Sequence, residues 1–134
     1  MKPQRRVTTA RHFAVFKAEA ERVAKVWGLN DIGFYYHHGP RDARATFRGT
    51  HVKRIATLTL SSNWEATNPE NPGELIADEE VRSAARHEVI HAMLLPLSAM
   101  VASYCTEDEA EEAEERIVQR LMRLLPTKDR PRKR

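Results

Sequence analysis

The chain has 134 residues, of which 41% are hydrophobic and 31% charged, with a net charge of +3. That is one domain's worth of an ordinary globular composition, and no apolar run approaches the ~20 residues of a membrane span. Cys105 is the only cysteine, which excludes an intrachain disulfide and any cysteine-based zinc cluster, so a metal ion would need His, Asp or Glu ligands.

The chain opens on a basic stretch, KPQRR. It lacks the apolar core of a secretory signal, so a cytoplasmic location is the expectation. Residues 1–8 read as a basic tail. Thr9 is a plausible N-cap for a helix over 9–28, where Phe13, Phe16, Ala20, Val23, Ala24 and Trp27 recur at helical spacing and Gly28 supplies the stop. Residues 32–38, IGFYYHH, are rich in strand formers. A Gly-Pro-Arg-Asp turn leads to a short strand around 43–48, and residues 52–62 give the clearest strand. There Ala56, Leu58 and Leu60 face one way and Ile55, Thr57 and Thr59 the other.

Residues 63–77, with NPENPG, read as loop. A second helix is expected from an N-cap at Asp78 to about Leu95, cut by Pro96. The apolar stretch 93–101 is expected to be core rather than a partner surface. A third helix starts at Thr106, whose T-E-D-E fits a capping box with Glu109, and runs to about Leu125. Residues 127–134 form a second basic tail. No aromatic residues interleave the basic ones in either tail, so solvated ends are expected rather than nucleic-acid contacts. The order predicts an α+β fold, a single domain over 9–126 with a small, mainly antiparallel sheet.

The chemistry lies in RHEVIHAMLL, residues 86–95. On a helix, His87 and His91 lie one turn apart on one face and can offer two ring nitrogens to one ion. Glu88 can reach a water beside that ion and move its proton. With 6 His in the chain, chance alone places this pattern in roughly one chain in forty of this composition. The discriminator is a third ligand, because a catalytic zinc takes three protein ligands and leaves one position for water. The apolar stripe of the last helix, through Val118, Leu121 and Leu125, extends back through Glu114. A carboxylate on a core-facing stripe is costly unless paired or coordinated, which makes Glu114 the candidate, with Glu111 and Glu115 as alternatives. Tyr104 or His51 could assist an oxyanion, though each is more often a packing or surface residue.

With these motifs in place, the chain resembles the small HExxH metallopeptidase-like proteins encoded by bacteriophages and prophages. The resemblance covers roughly residues 10–125. It rests on FKAEAERVAKVWGL, IATLTLSSNW, RHEVIHAMLLPL and EERIVQRLMRLL, and it extends in pattern to ImmA/IrrE-like and minimal gluzincin-type folds. It implies a minimal zincin-like domain with an N-terminal helix, a three-stranded sheet, a motif helix and a C-terminal glutamate helix. It implies one zinc ion per chain on His87, His91 and Glu114, with Glu88 as general base. The strand Ala56–Leu60 is then expected to edge the cleft and pair with an extended peptide.

The expected function is therefore a zinc-dependent metallopeptidase acting on a peptide or protein in the cytoplasm of a bacterial host, with no membrane association. The alternative is a zinc-containing binding or regulatory module without proteolytic turnover. A third possibility is that the histidines and Glu114 never meet a metal.

Overall fold

The computed structural model describes residues 5–65 and 75–124. The basic tail 127–134 and the NPENPG segment of the expected loop lie outside the described residues. No helix among the described residues is long and apolar enough to cross a membrane.

The elements run β1 (Arg5–Val7), α1 (Ala10–Val26), β2 (Gly33–Gly39), β3 (Ala45–Thr50), β4 (Ile55–Ser61), β5 (Asn63–Glu65), α2 (Asp78–Val101) and α3 (Glu107–Leu124). This is the expected α+β class. Helix α1 begins at Thr9 as predicted. The Thr9 hydroxyl accepts the His12 N–H at 3.3 Å, and His12 Nδ1 accepts the Thr9 N–H at 3.0 Å. With Nδ1 accepting, the His12 proton belongs on Nε2, which lies 3.1 Å from the Ile76 carbonyl. At the other end Gly28 takes φ +67°. It donates to Lys25 while Leu29 donates to Ala24, the paired bonds of a Schellman stop.

The sheet departs from expectation in its order. Strands run β2-β4-β3, with β4 parallel to β2 and antiparallel to β3, so the sheet is mixed rather than mainly antiparallel. The physical reason lies in the two connections. The turn 51–54, closed by Arg54 at φ 53°, folds β4 directly back on β3. The connection 40–44 instead carries β3 one strand position away from β2, and β4 fills the gap. As the central strand, β4 has both backbone edges occupied. The expectation that Ala56–Leu60 pairs with a peptide is thereby overturned, and β3 is the edge strand beside α2.

A second, two-stranded sheet joins β1 to β5 antiparallel, so residues 5–8 are not a frayed tail and 63–65 are not loop. Arg6 explains both. It is only 5% exposed, bonds both Glu80 oxygens at 3.3 Å and the Glu65 carbonyl, and lies over the Trp64 ring. Helix α2 begins one residue earlier than expected, with Ala77 and not Asp78 as its cap position and the Glu80 carboxylate taking the Ala77 N–H at 2.9 Å. It also continues through Pro96 to Val101. Proline removes one ladder bond, to the Ala92 carbonyl, and its ring sits on an exposed position. The 93–101 stretch divides accordingly. Met93 and Leu94 pack on the core, whereas Leu97 and Met100 are exposed.

All three helices lie toward one face of the three-stranded sheet. Phe16, Ala20 and Val23 of α1 meet Leu58 and Leu60 of β4 and Val81, Ala85, Val89 and Ile90 of α2. Helix α3 adds Val118. Within this apolar layer sits an ion pair, Glu19 of α1 with Arg86 of α2 at 2.6 Å, the two residues 3% and 5% exposed. Arg22 also bonds Glu19, and Glu79 bonds the far side of Arg86 at 2.6 Å.

Burial pushes the Glu19 carboxyl up, but hydrogen bonds and charge from Arg22 and Arg86 outweigh it and hold the group below its ordinary value of 4.5. The stability this contributes is complete above 4.5 and is lost as pH falls through the depressed folded value. Removing one partner of a buried pair costs about 3–5 kcal/mol. Glu19→Ala is therefore expected to lower the unfolding free energy by about that much in urea at neutral pH. Repeating the titrations at decreasing pH should show the gap from wild type narrowing below 4.5. A gap that is constant with pH would contradict this account of the pair.

Candidate metal centre

The middle of α2 is buried on its Val89 and Ile90 side, which fixes where the motif residues point. His87 and His91, one turn apart, emerge at the side of the helix that meets α3 and β3. Their Nε2 atoms lie 3.1 Å apart. Glu115 of α3 completes the group, with Oε1 at 2.8 Å from His91 Nε2 and Oε2 at 3.6 Å from His87 Nε2. Ligands at zinc bond lengths of 2.0–2.1 Å in a tetrahedron stand about 3.3–3.4 Å apart. The three observed separations bracket that value, and the donor set of two imidazoles and one carboxylate suits zinc.

Glu114, the carboxylate expected as third ligand, is placed differently. Its Oε1 lies 3.0 Å from Nδ1 of His91, the ring nitrogen turned away from His87. An Nδ1–H donated to Glu114 leaves the Nε2 lone pair facing the cluster, which is the tautomer a ligand needs. Adjacent residues of α3 thus bracket one imidazole, Glu115 on the inner nitrogen and Glu114 on the outer. Phe47 of β3 stacks on the same ring, 6.2 Å between centroids and 11° from parallel. Gly49 permits that approach, since a Cβ there would stand 2.5 Å from the Phe47 ring and 2.9 Å from Leu95.

The carboxylate that lies with both histidines is Glu115 and not Glu114, for a reason in the helix packing. A stripe centre predicts what is buried, and Glu114 is indeed the less exposed of the two, at 20% against 50% for its side-chain neighbour. The cluster of donor atoms instead lies at the margin of the α2–α3 contact, and the margin is where Glu115 points. Glu111 is exposed and does not join the group.

Glu88 is 7% exposed, and its side-chain carboxyl makes no hydrogen bond within the described residues. Burial, and then the charge of Glu115, push its carboxyl up to about 8. Burial and the neighbouring His91 hold His87 below its ordinary value, against a smaller opposing pull from Glu115. Glu88 and His87 open on a cleft of about 290 Å³ between the start of β3 and the first half of α2, lined also by Arg44, Ala45, Glu80 and Ser83. Tyr104 is 88% exposed beyond the end of α2, and His51 is exposed in the β3–β4 turn. Neither lines this cleft.

Two residues that shape the centre or orient its helix were not singled out in the sequence reading, Phe47 beside His91 and Glu19 beside Arg86. Phe47 carried no signal beyond an aromatic in a strand. Glu19 did carry one, since an acid three residues from Phe16 and four from Val23 lies on the apolar face of its helix. No protein-family model matches the chain, and no curated protein or solved structure does so either. The functional case therefore rests on this geometry.

Zinc titration by equilibrium dialysis distinguishes the two adjacent acids. Glu115→Ala is expected to abolish stoichiometric binding. Glu114→Ala is expected to keep one zinc per chain at about 10–100-fold weaker affinity, the usual effect of removing a ligand's outer partner. The reverse pattern would return the ligand role to Glu114.

Proposed function

We propose that the chain is a zinc-dependent peptidase in which His87, His91 and Glu115 hold one zinc ion and Glu88 handles the proton. The observation that carries this is the convergence of three donor atoms at coordination spacing, beside a buried carboxyl that has no protein partner and opens on a cleft. A zinc ion held there supplies a Lewis acid that polarises a carbonyl and acidifies water.

The chain's own residues do the rest. Glu88 accepts a proton from the water that attacks the scissile carbonyl carbon. As the carbon–nitrogen bond breaks, Glu88 returns that proton to the leaving amine nitrogen. Its near-complete burial keeps other donors from occupying it. Glu114 and Phe47 fix the His91 ring in plane and tautomer. The outer edge of β3 has no strand partner among the described residues. An extended peptide added there would lie along the cleft, beside Ala45 and the motif residues. Edge-strand β3 thus takes the role that the resemblance had implied for β4.

Glu88→Gln is the direct test, because it changes neither the ligands nor the size of the side chain. It is expected to retain one zinc per chain and to lose about 10²–10⁴-fold in the rate of cleaving an unfolded protein substrate. Cleavage by this variant at the wild-type rate would falsify the mechanism. Stoichiometric zinc and peptide binding by the wild type, with no cleavage product, would assign the site to recognition instead.

A further inference from the structure

The helices cover one face of the three-stranded sheet, and no helix or strand among the described residues covers the other. Strand alternation puts Tyr35 and His37 of β2, Thr57 and Thr59 of β4, and Thr46 and Arg48 of β3 on the open side. The register assembles them into two cross-strand rows. One is Tyr35–Thr57–Arg48, and the next is His37–Thr59–Thr46. Each row therefore runs from an aromatic ring through hydroxyls, and the first ends on a guanidinium about 10 Å away across three strands.

This face holds a depression of about 520 Å³ whose lining includes His37, Arg41, Thr46, Arg48, Thr57 and Thr59. No carboxylate lines it among the described residues. The hydroxyls of Thr46, Thr57 and Thr59 make no hydrogen bond within the described residues, although Thr59 is only 3% exposed. Arg48 has no ion-pair partner there, and the Arg41 guanidinium meets only the neighbouring Pro40 carbonyl at 2.6 Å. Tyr35 is 59% exposed, whereas Phe34 and Tyr36 of the same strand are half-buried on the helix side. The acids of the chain are gathered elsewhere, with α3 carrying seven of them from Glu107 to Glu115 and packing mainly on α2.

We infer that this open sheet face binds single-stranded nucleic acid. Bases stack on Tyr35 and His37, phosphates meet Arg48 and Arg41, and the threonine hydroxyls donate to phosphate or sugar oxygens. The strand is single because a ring standing on a sheet can stack only on a base that is not already stacked in a duplex. An acidic peptide would use the two arginines but would leave the aromatic faces unused. The surface lies on the opposite side of the sheet from the metal centre and stands or falls independently of the peptidase assignment.

The test is fluorescence anisotropy of the full chain with short labelled oligothymidylate and oligouridylate, at low and at physiological salt, beside a glutamate-rich peptide. The expected result is salt-dependent binding of the oligonucleotides in preference to the peptide. Tyr35→Ala is expected to weaken binding by about 5- to 150-fold, the loss of one stacked base. Arg48→Ala is expected to reduce the salt slope by about one. Both side chains project from the open face, so circular dichroism should show an unchanged fold. The inference is overturned if neither oligonucleotide binds at low salt, or if the peptide binds equally well. Unchanged affinity in the Tyr35→Ala/Arg48→Ala double variant also overturns it, by assigning the binding to the basic ends of the chain.

Discussion

The buried pair between Glu19 and Arg86 sets the phase of the motif helix, and the site depends on that phase. Arg86 immediately precedes His87, and one residue along a helix is a rotation of about 100°. Holding Arg86 against α1 therefore sends Val89 and Ile90 into the core, Glu88 toward the cleft, and both histidines toward α3. Apolar packing alone is less discriminating, because aliphatic side chains tolerate rotation and repacking at modest cost. A charge taken out of water is less forgiving, since a turn of α2 in either direction would leave Glu19 and Arg86 buried apart. The network extends through Arg22 and Glu79, so both ions have a second partner on the solvent side. That sharing offsets much of the desolvation cost such a pair carries.

A second constraint acts through the sheet. Phe47 reaches His91 only because Gly49 lets β3 close on α2. The ring is then located from three directions, by a stacked aromatic on its face and by a carboxylate near each nitrogen. The residues that locate it come from α3 and β3, distant from α2 in sequence. The centre is in this sense a product of the whole domain, although its most recognisable part occupies five consecutive residues.

Much of the local structure was legible because it depends on near neighbours. Thr9, Gly28 and the Thr106–Glu109 pair mark helix ends through bonds that span five residues or fewer, and each does so in the structure. The alternation of Ala56, Leu58 and Leu60 identified the buried face of β4 for the same reason. Strand order was not legible, because periodicity records which face is buried and says nothing about which strand is the neighbour. Arg6 looked like part of a basic tail, since its partners Glu80 and Trp64 are about 60 or more residues away. Pro96 looked like a stop, because the local rule omits how little one missing bond costs on an exposed turn of a helix already packed at its core. The two histidines and Glu88 were readable from spacing alone. That Glu115, and not Glu114, lies beside both Nε2 atoms depends on how α3 docks, which no pattern within α3 contains.

That docking has a consequence for how a metal would come and go. Val118 is the single buried residue of α3 among the described residues, and Leu121 and Met122 only partly join the core. Between the C-terminal half of α2 and α3 lies an apolar groove of about 330 Å³, bordered by Leu97, Val101, Ala110 and Ile117. Helix α3 is therefore the least firmly seated element to carry part of the centre. Local opening is easiest where buried apolar contacts are few, and each such opening would remove Glu115 and Glu114 from His91 together. The two imidazoles would remain on α2 as a bidentate remnant. Exchange of the ion with solution would then follow the fraying of one helix and leave the core closed, and a bound ion would in turn hold that helix down.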